Sequence, residues 1–316
     1  MNARRHMAQG GVAVVTALLL TTLAVTIVTS LFWQQQVQVR MMANQRLQTQ
    51  AQWVMRNSLD WARLVLREDA KSTTVDQLGE DWAQPQADIP LDQFIQNDRL
   101  PGEDAAATLS RRIEDAQGRY NIGNLAQNGV QNASQLAVFE RLLSLLNLDP
   151  ELAKPLAAAV AAGQGRNAPL APDGSMVTVG QPAPAALAVT SVDALLAVPG
   201  YTAAVVTRLQ PYVAILPETV PVNANTASAQ VLAALMNVSL SDVAPLLQHR
   251  AHAYFRDLAD FQTTANNLLS EQDVAVSSSY FLVENEVHME RAVLRTQALV
   301  YRKKTGNTTV LRVRAY

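Results

Sequence analysis

Cysteine is absent from all 316 residues. That excludes disulfide frameworks, thiolate metal sites, cysteine nucleophiles and iron–sulfur clusters. Histidine is scarce, at four residues, so a histidine-rich metal centre has little to draw on. Charge is sparse too. Asp, Glu, Lys and Arg make up 16% of the chain and nearly cancel, to a formal net charge of −2. This excludes a protein held to nucleic acid by bulk charge. Aromatic residues are only 5%, yet hydrophobic residues reach 49%. So much apolar surface excludes an intrinsically disordered chain. The length suits one large domain or two ordinary ones.

Residues 12–33, VAVVTALLLTTLAVTIVTSLFW, contain no charge, Gly or Pro over 22 positions. As a helix this stretch is about 33 Å long, which matches a hydrocarbon core of about 30 Å. Its threonine hydroxyls can bond back to helix carbonyls. Arg4 and Arg5 precede it and the next charge is Arg40, so the N-terminus is expected in the cytoplasm and the bulk outside. An ordinary secretory signal has an apolar region of about 7–15 residues and a small-x-small cleavage site. This stretch is longer and runs into Phe32, Trp33 and a glutamine run. It reads as an anchor that is uncleaved or processed differently.

No Gly or Pro interrupts residues 12–78, and Gln, Arg, Met, Ala and Leu dominate beyond the apolar run. These are good helix formers. Leu47, Ala51, Val54, Met55, Leu59, Ala62, Val65 and Leu66 recur at helical spacing. One helix is expected over residues 12–67, about 80 Å long, half in the membrane and half outside. Its outer apolar stripe needs a partner surface.

Residues 71–104 are polar and carry Gly79, Pro85, Pro90, Pro101 and Gly102, the pattern of a loop with short turns. Residues 109–122, LSRRIEDAQGRYNI, suggest a β-hairpin turning near Ala116-Gln117-Gly118. Helical periodicity covers 131–148 and 150–162. Residues 163–190 hold four Gly, four Pro and two charges, which marks a loop or partly ordered insertion. Helices are expected again over 191–198, 202–209, 226–236, 239–253 and 257–264, with Asn225, Ser241 and Asp257 as N-caps. Residues 280–289, 291–303 and 309–316 alternate apolar and polar, with a turn at Gly306-Asn307. The fold class is therefore α+β. A long N-terminal helix packs on a small antiparallel sheet, and a large, mostly helical domain is inserted. The divisions are 1–11, 12–33, 34–125, 126–275 and 276–316.

Patterns that carry chemistry are thin. His249 and His252 share a helix face without a third ligand of obvious spacing. Gly163-Gln164-Gly165 is too short and misplaced for a nucleotide loop, and no Gly-x-Ser-x-Gly elbow occurs. Asp257 and Asp260 suit a helix start better than acid–base work. Catalysis is not expected. Val222-Asn223-Ala224-Asn225-Thr226-Ala227, with His249-Arg250 and Phe255, resembles the helix-hairpin-helix modules of membrane-anchored DNA-uptake proteins. Phosphate binding there uses a Gly-x-Gly turn with free backbone N–H groups. Here Asn237-Val238-Ser239 stands in that place, and residues 186–270 hold three Arg against five acids. The motif is expected to serve as a packing unit, with no nucleic-acid partner.

Met7-Ala8-Gln9-Gly10-Gly11-Val12-Ala13 is a short basic leader ending in Gly ahead of an uncharged helix. It resembles the type IV prepilin class of signal. That resemblance implies cleavage by a prepilin peptidase between Gly11 and Val12, and methylation of the new N-terminus. Most members of the class have Glu at the fifth mature position, where this chain has Thr16. The departure is shared by one branch, the minor pseudopilin K of type II secretion systems. Asp115-Ala116-Gln117-Gly118-Arg119-Tyr120-Asn121-Ile122, Leu209-Gln210-Pro211-Tyr212-Val213, Leu216-Pro217 and the Val222–Ala227 stretch also resemble that branch, in order along nearly the whole chain. A buried α-ammonium in a bundle of apolar helices is costly without a carboxylate. A subunit with Thr16 cannot neutralise a neighbour's N-terminus, and so suits the filament tip.

The resemblance implies a structural, non-enzymatic subunit of the inner membrane, single-pass, with its bulk in the periplasm. Its expected partners are the minor pseudopilins I and J and the secretion machinery. It would initiate and cap the pseudopilus that exports folded proteins. The expected partner interface is Leu47, Ala51, Val54, Met55, Leu59 and Ala62, in contact with partner pseudopilins as well as the chain's own sheet. Members of the branch often bind calcium through an acidic stretch of the inserted domain. The corresponding residues 160–189 offer only Asp173, and a hard cation needs six to eight oxygens. No cofactor is expected.

Overall fold

In the computed structural model, which describes residues 10–91, 107–164, 189–266, 269–289 and 292–316, the first element is one unbroken helix, α1 (Gly10–Ser72) of 63 residues. Its apolar half satisfies side-chain hydroxyls internally. Thr16, Thr21, Thr22, Thr26 and Thr29 each donate to a carbonyl three or four residues back, at 2.8–3.0 Å. Lys71 lies in the last turn, where the helix dipole favours a cation.

The outer half of α1 lies across a five-stranded sheet in the order β1 (Gln86–Pro90), β2 (Thr108–Asp115), β9 (Tyr280–Met289), β10 (Ala292–Arg302) and β11 (Thr308–Ala315). Every pairing in it is antiparallel. Strand alternation gives the sheet two apolar faces. On one, Ala62 and Leu66 of α1 pack with Ile113, Phe281, Val283, Ala298 and Val300, and Trp82 closes the end. Further along, Ala51 and Met55 meet Leu109, Val287 and Met289. On the other face Tyr280, Leu282 and Leu299 pack with Ala214, Leu216 and Val220.

Those last residues belong to the helical insertion. It comprises β3 (Tyr120–Asn121), β4 (Ala126–Gln127), β5 (Val130–Gln131), α2 (Ala133–Leu145), α3 (Ala153–Gln164), α4 (Ala203–Leu209), β6 (Val213–Ala214), β7 (Val222–Asn223), α5 (Ala229–Met236), α6 (Leu240–His252), α7 (Leu258–Ala265) and β8 (Val274–Ala275). One continuous core runs through it from Tyr120 to Val274 and includes Phe139, Leu142, Leu156, Leu232, Phe255 and Phe261.

Three expectations are corrected. Residues 109–122 are not a hairpin. β2 ends at Asp115, whose Oδ1 accepts from Gln117 N at 2.7 Å and tightens residues 116–118 into a 3₁₀ turn. The chain then leaves the sheet, and β3 pairs parallel with β6. Gly118 is required at this exit, because a Cβ there would come within 2.8 Å of Thr226 Oγ1. The stretch read as loop contains β1 and a 3₁₀ turn at Asp81–Ala83 that buries Trp82 edge-on against Phe281, with ring centroids 5.3 Å apart. β1 is a short edge strand ending in proline, which periodicity does not reveal. Finally, α5 and α6 are capped by Ser228 and Ser239, not Asn225 and Ser241. Asn225 is used across the fold, donating to Phe255 O and accepting from Phe255 N. Asp257 does cap α7, and the 303–307 turn carries Gly306 at φ +85°.

Candidate functional site

Thr16 sits on an exposed turn of α1, where its hydroxyl donates to Val12 O and Ala13 O at 3.0 Å. Val12 is exposed, and the Gly11–Val12 bond lies in the first turn of the helix. Arg4, Arg5 and the remainder of residues 1–9 lie outside the described residues. One helix among the described residues is long and apolar enough to cross a membrane, and none of its apolar window is buried. It fits a single-pass membrane anchor.

The outer stripe has its partner within the chain. Ala51, Met55 and Ala62 are 3%, 7% and 1% exposed, and Leu47, Val54 and Leu59 are partly buried against the same clusters. These residues hold α1 on its own sheet, so the six named for a partner interface are not a free surface. The reason is the sheet's apolar face, which needs cover just where the stripe passes. The opposite side of α1 stays open: Val39, Met42, Trp53 and Leu64 are all exposed. At 100° per residue they fall within about 60° of one another.

The end of α1, the sheet and the insertion meet in a buried polar junction. Arg302, at the end of β10, donates to Asp69 Oδ2 at 2.7 Å, to Asp76 Oδ1 and to Ser278 O at 3.1 Å. Its guanidinium lies 4.6 Å from the Phe281 ring centroid. Asp76 Oδ2 accepts from Ser278 N at 2.7 Å. Asp115 Oδ2 accepts from Ser278 Oγ, Thr226 Oγ1 and Asn223 Nδ2 at 2.6, 2.6 and 2.9 Å. Burial pushes both carboxyls above the usual range. For Asp76 the Arg302 charge and the Ser278 amide oppose the rise, and for Asp115 the Ser278 and Thr226 hydroxyls do. Polar groups buried this deeply persist only because each has a partner.

The stretches that carry the family resemblance are bonded to one another, and those of Asp115 and Val222–Ala227 reach the junction. Tyr120 N donates to Tyr212 O at 2.8 Å. Asn121 accepts from Leu216 N and donates to Glu218 O, and Asn223 bridges Asp115 and the Asp76 carbonyl. No local pattern announces the junction, since Arg302 and Asp76 are 226 positions apart.

Asp69, Asp76 and Glu80 bring one carboxylate oxygen each within 4.8 Å of one another. Arg302 already neutralises two of them, and Glu80 accepts from Gln77 N and Trp82 Nε1 at 3.0 and 2.7 Å. A cation would have to displace that guanidinium. For calcium in the insertion, the described part of 160–189 supplies one orphaned buried oxygen, Gln164 Oε1, and no carboxylate. Asp173 lies outside the described residues.

The histidine pair is not set for ligation. His249 stacks on Phe255 with centroids 5.6 Å apart, and His252 Nδ1 lies 2.8 Å from Gln248 O. Arg250 donates to Ala224 O and Ala227 O, so the helix-hairpin-helix-like residues serve packing. Asp257 accepts from Asp260 N, and Asp260 from Arg256, as helix-start charges do.

Comparison with known proteins agrees with this layout. Two family models described as type II secretion system (T2SS), protein K match residues 118–218 and 222–283, together about half the chain. Type II secretion system protein K of Pseudomonas aeruginosa is 29% identical, over 97% of this chain and 92% of its own length. The protein K of Aeromonas hydrophila is 25% identical, over 96% of each. Among solved structures, a chain of the GspK-GspI-GspJ complex from the enterotoxigenic Escherichia coli Type 2 Secretion System has the same fold. Its TM-score is 0.64 at 22% identity, covering 88% of this chain and 99% of that one. These likenesses favour the pseudopilin over the DNA-binding reading. With its membrane helix, sheet and inserted helical domain, the chain belongs to the type II secretion system protein K family and is a minor pseudopilin of that system.

Proposed function

We propose that the chain stands at the tip of the periplasmic pseudopilus, where it initiates and caps the filament after peptidase cleavage between Gly11 and Val12. In this reading its N-terminus faces the cytoplasm and its bulk the periplasm. The observation that carries it is the lack of any carboxylate in the apolar, membrane-spanning half of α1. The first acid of the chain is Asp60, and the Thr16 hydroxyl is held by its own backbone. A subunit added above would bury its α-ammonium without a counter-charge. The insertion on the far face of the sheet adds bulk that a filament shaft has no room for.

The partners proposed are minor pseudopilins of the I and J type. The structural relative is a component of a GspK-GspI-GspJ complex, which supports the assignment. Contact would run through the open stripe of Val39, Met42, Trp53 and Leu64. Leaving the bilayer requires helix–helix packing to replace lipid contact, so partners are obligatory.

The test is intact mass and N-terminal sequencing of the protein from bacterial membranes, with and without prepilin peptidase. A methylated chain starting at Val12, seen only with the peptidase, is expected. A Met1 start in both strains would overturn the processing. Thr16→Glu tests the tip. It should let subunits stack above and give longer pseudopili, whereas unchanged length would count against capping.

A further inference from the structure

β11 is the last strand of its sheet, and its outer edge pairs with no other strand among the described residues. A bulge decides where its side chains face. Val310 stands opposite Val300 but Arg312 stands opposite Leu299, so Leu311 is an extra residue. One extra residue reverses the alternation. Val310 packs on the α1 side, while Arg312 and Arg314 turn to the other face. There they line a cleft of about 250 Å³ between the sheet and the insertion, with Arg119 and Asp193.

Three guanidinium groups thus line this cleft, and Asp193 is the one acidic side chain among its lining residues. Arg119 is paired with Glu114. Arg314 pairs with Asp193 at 2.7 Å, in a well-exposed contact that is readily exchanged. Arg312 has no carboxylate partner among the described residues and donates to the Thr190 carbonyl. It is half-buried, and burial together with the Arg314 charge lowers its pKa. A charge that only guards an edge strand against pairing would stand in solvent. Arg312 instead holds surplus positive charge inside a cleft, where an incoming carboxylate would neutralise it in a charge-assisted pair.

We propose that the free edge of β11 and this cleft together bind an extended acidic segment of another protein, added as a sixth strand, with carboxylates two residues apart reaching Arg312 and Arg314. Backbone hydrogen bonds along the edge would supply affinity without sequence preference. The two-residue period of a strand puts alternate side chains on the cleft face. Directly opposed side chains then lie about 5 Å apart, within reach of a guanidinium.

The test uses the full chain in detergent and fluorescein-labelled ten-residue peptides alternating Glu with Thr or Val, read by anisotropy at low salt. The acidic peptide should bind. Replacing its Glu by Gln should weaken binding at least tenfold, as should the double variant Arg312→Gln/Arg314→Gln with an unchanged melting curve. Arg40→Gln, on the exposed part of α1, should have no effect. Equal binding by the double variant, or no binding of either peptide to the wild type, would overturn the proposal and leave the arginines as edge protection only. Equal binding of the Gln peptide would overturn the acidic preference, and equal binding of a proline-interrupted acidic peptide would overturn strand addition. None of these readouts depends on secretion, so they stand or fall apart from the tip assignment.

Discussion

The two halves of α1 differ in composition and face opposite environments. From Val12 to Trp33 its large apolar side chains are exposed. Beyond Leu47 one stripe is covered by the sheet, and Ala51 and Ala62 let helix and sheet approach closely. Both halves are apolar on at least one side, but residues 12–33 carry no charge, whereas Arg, Gln, Asp and Glu interleave the apolar residues of the outer half. The angular width of the apolar surface differs accordingly. The inner half is apolar all round, as a membrane helix must be. The outer half has one stripe for its own sheet and a second, opposite stripe left open. The first gives the subunit its fold, and the second is the surface available to neighbours.

That contrast fails most severely if the end of α1 comes loose. Arg302→Met keeps much of the side-chain volume but leaves Asp69 and Asp76 buried without a cation. Breaking a buried pair in this way costs about 3–5 kcal/mol, measurable by denaturant unfolding in detergent. The deficit should shrink on acidification. Asp76 already has a folded-state pKa above its unfolded value, and loss of the cation raises it further. The native state then binds more protons than the unfolded state between the two values. Its stability therefore falls as pH rises through that window, and recovers as pH drops toward the ordinary carboxylate range. A deficit independent of pH would show that Asp76 is not the group exposed by the change.

The same substitution placed in each half of α1 sharpens the comparison. Leu66 is fully buried and Leu20 is 66% exposed. Leu66→Ala should cost about 2–5 kcal/mol of unfolding free energy, whereas Leu20→Ala should stay within about 0.5 kcal/mol. Equal effects would mean that the outer stripe does not hold the sheet. Leu20→Arg reverses the roles. It should disfavour membrane insertion by about 3–4 kcal/mol, read as extraction by alkaline carbonate, while the outer half still unfolds at the wild-type midpoint.

Much of this arrangement was legible in the sequence because it rests on local rules. The absence of any breaker before Gly79 marked the long helix, whose end falls at Ser72, a few residues past the expected one. Alternation of apolar and polar residues marked β9, β10 and β11, and Asp257 announced its cap. The failures share a cause. The residues after Asp115 look the same whether the chain turns back or leaves the sheet, and the deciding contact, Gly118 against Thr226, lies more than a hundred positions away. The Arg302 junction was hidden for the same reason. The outer stripe was legible as apolar and as needing cover by the chain's own sheet. Its residues carried no sign that the sheet would leave so little of them for another subunit.

The open stripe is where the smallest effect on the fold should meet the largest effect on assembly. Trp53 is 61% exposed, a large aromatic surface on the side of α1 away from the sheet. Buried aromatics of this kind anchor protein interfaces, yet an exposed one contributes little to the isolated fold. Trp53→Ala should therefore change the unfolding free energy by no more than about 0.5 kcal/mol. If the stripe faces partner pseudopilins, co-purification of the I and J type subunits from membranes should drop sharply in the same variant. Met55→Ala, on the covered side, should show the reverse pattern, with clear destabilisation and partner binding lost only as the fold is lost. A Trp53→Ala chain that keeps its partners would place the interface on another surface, and the division of α1 into a face for its own sheet and a face for its neighbours would have to be redrawn.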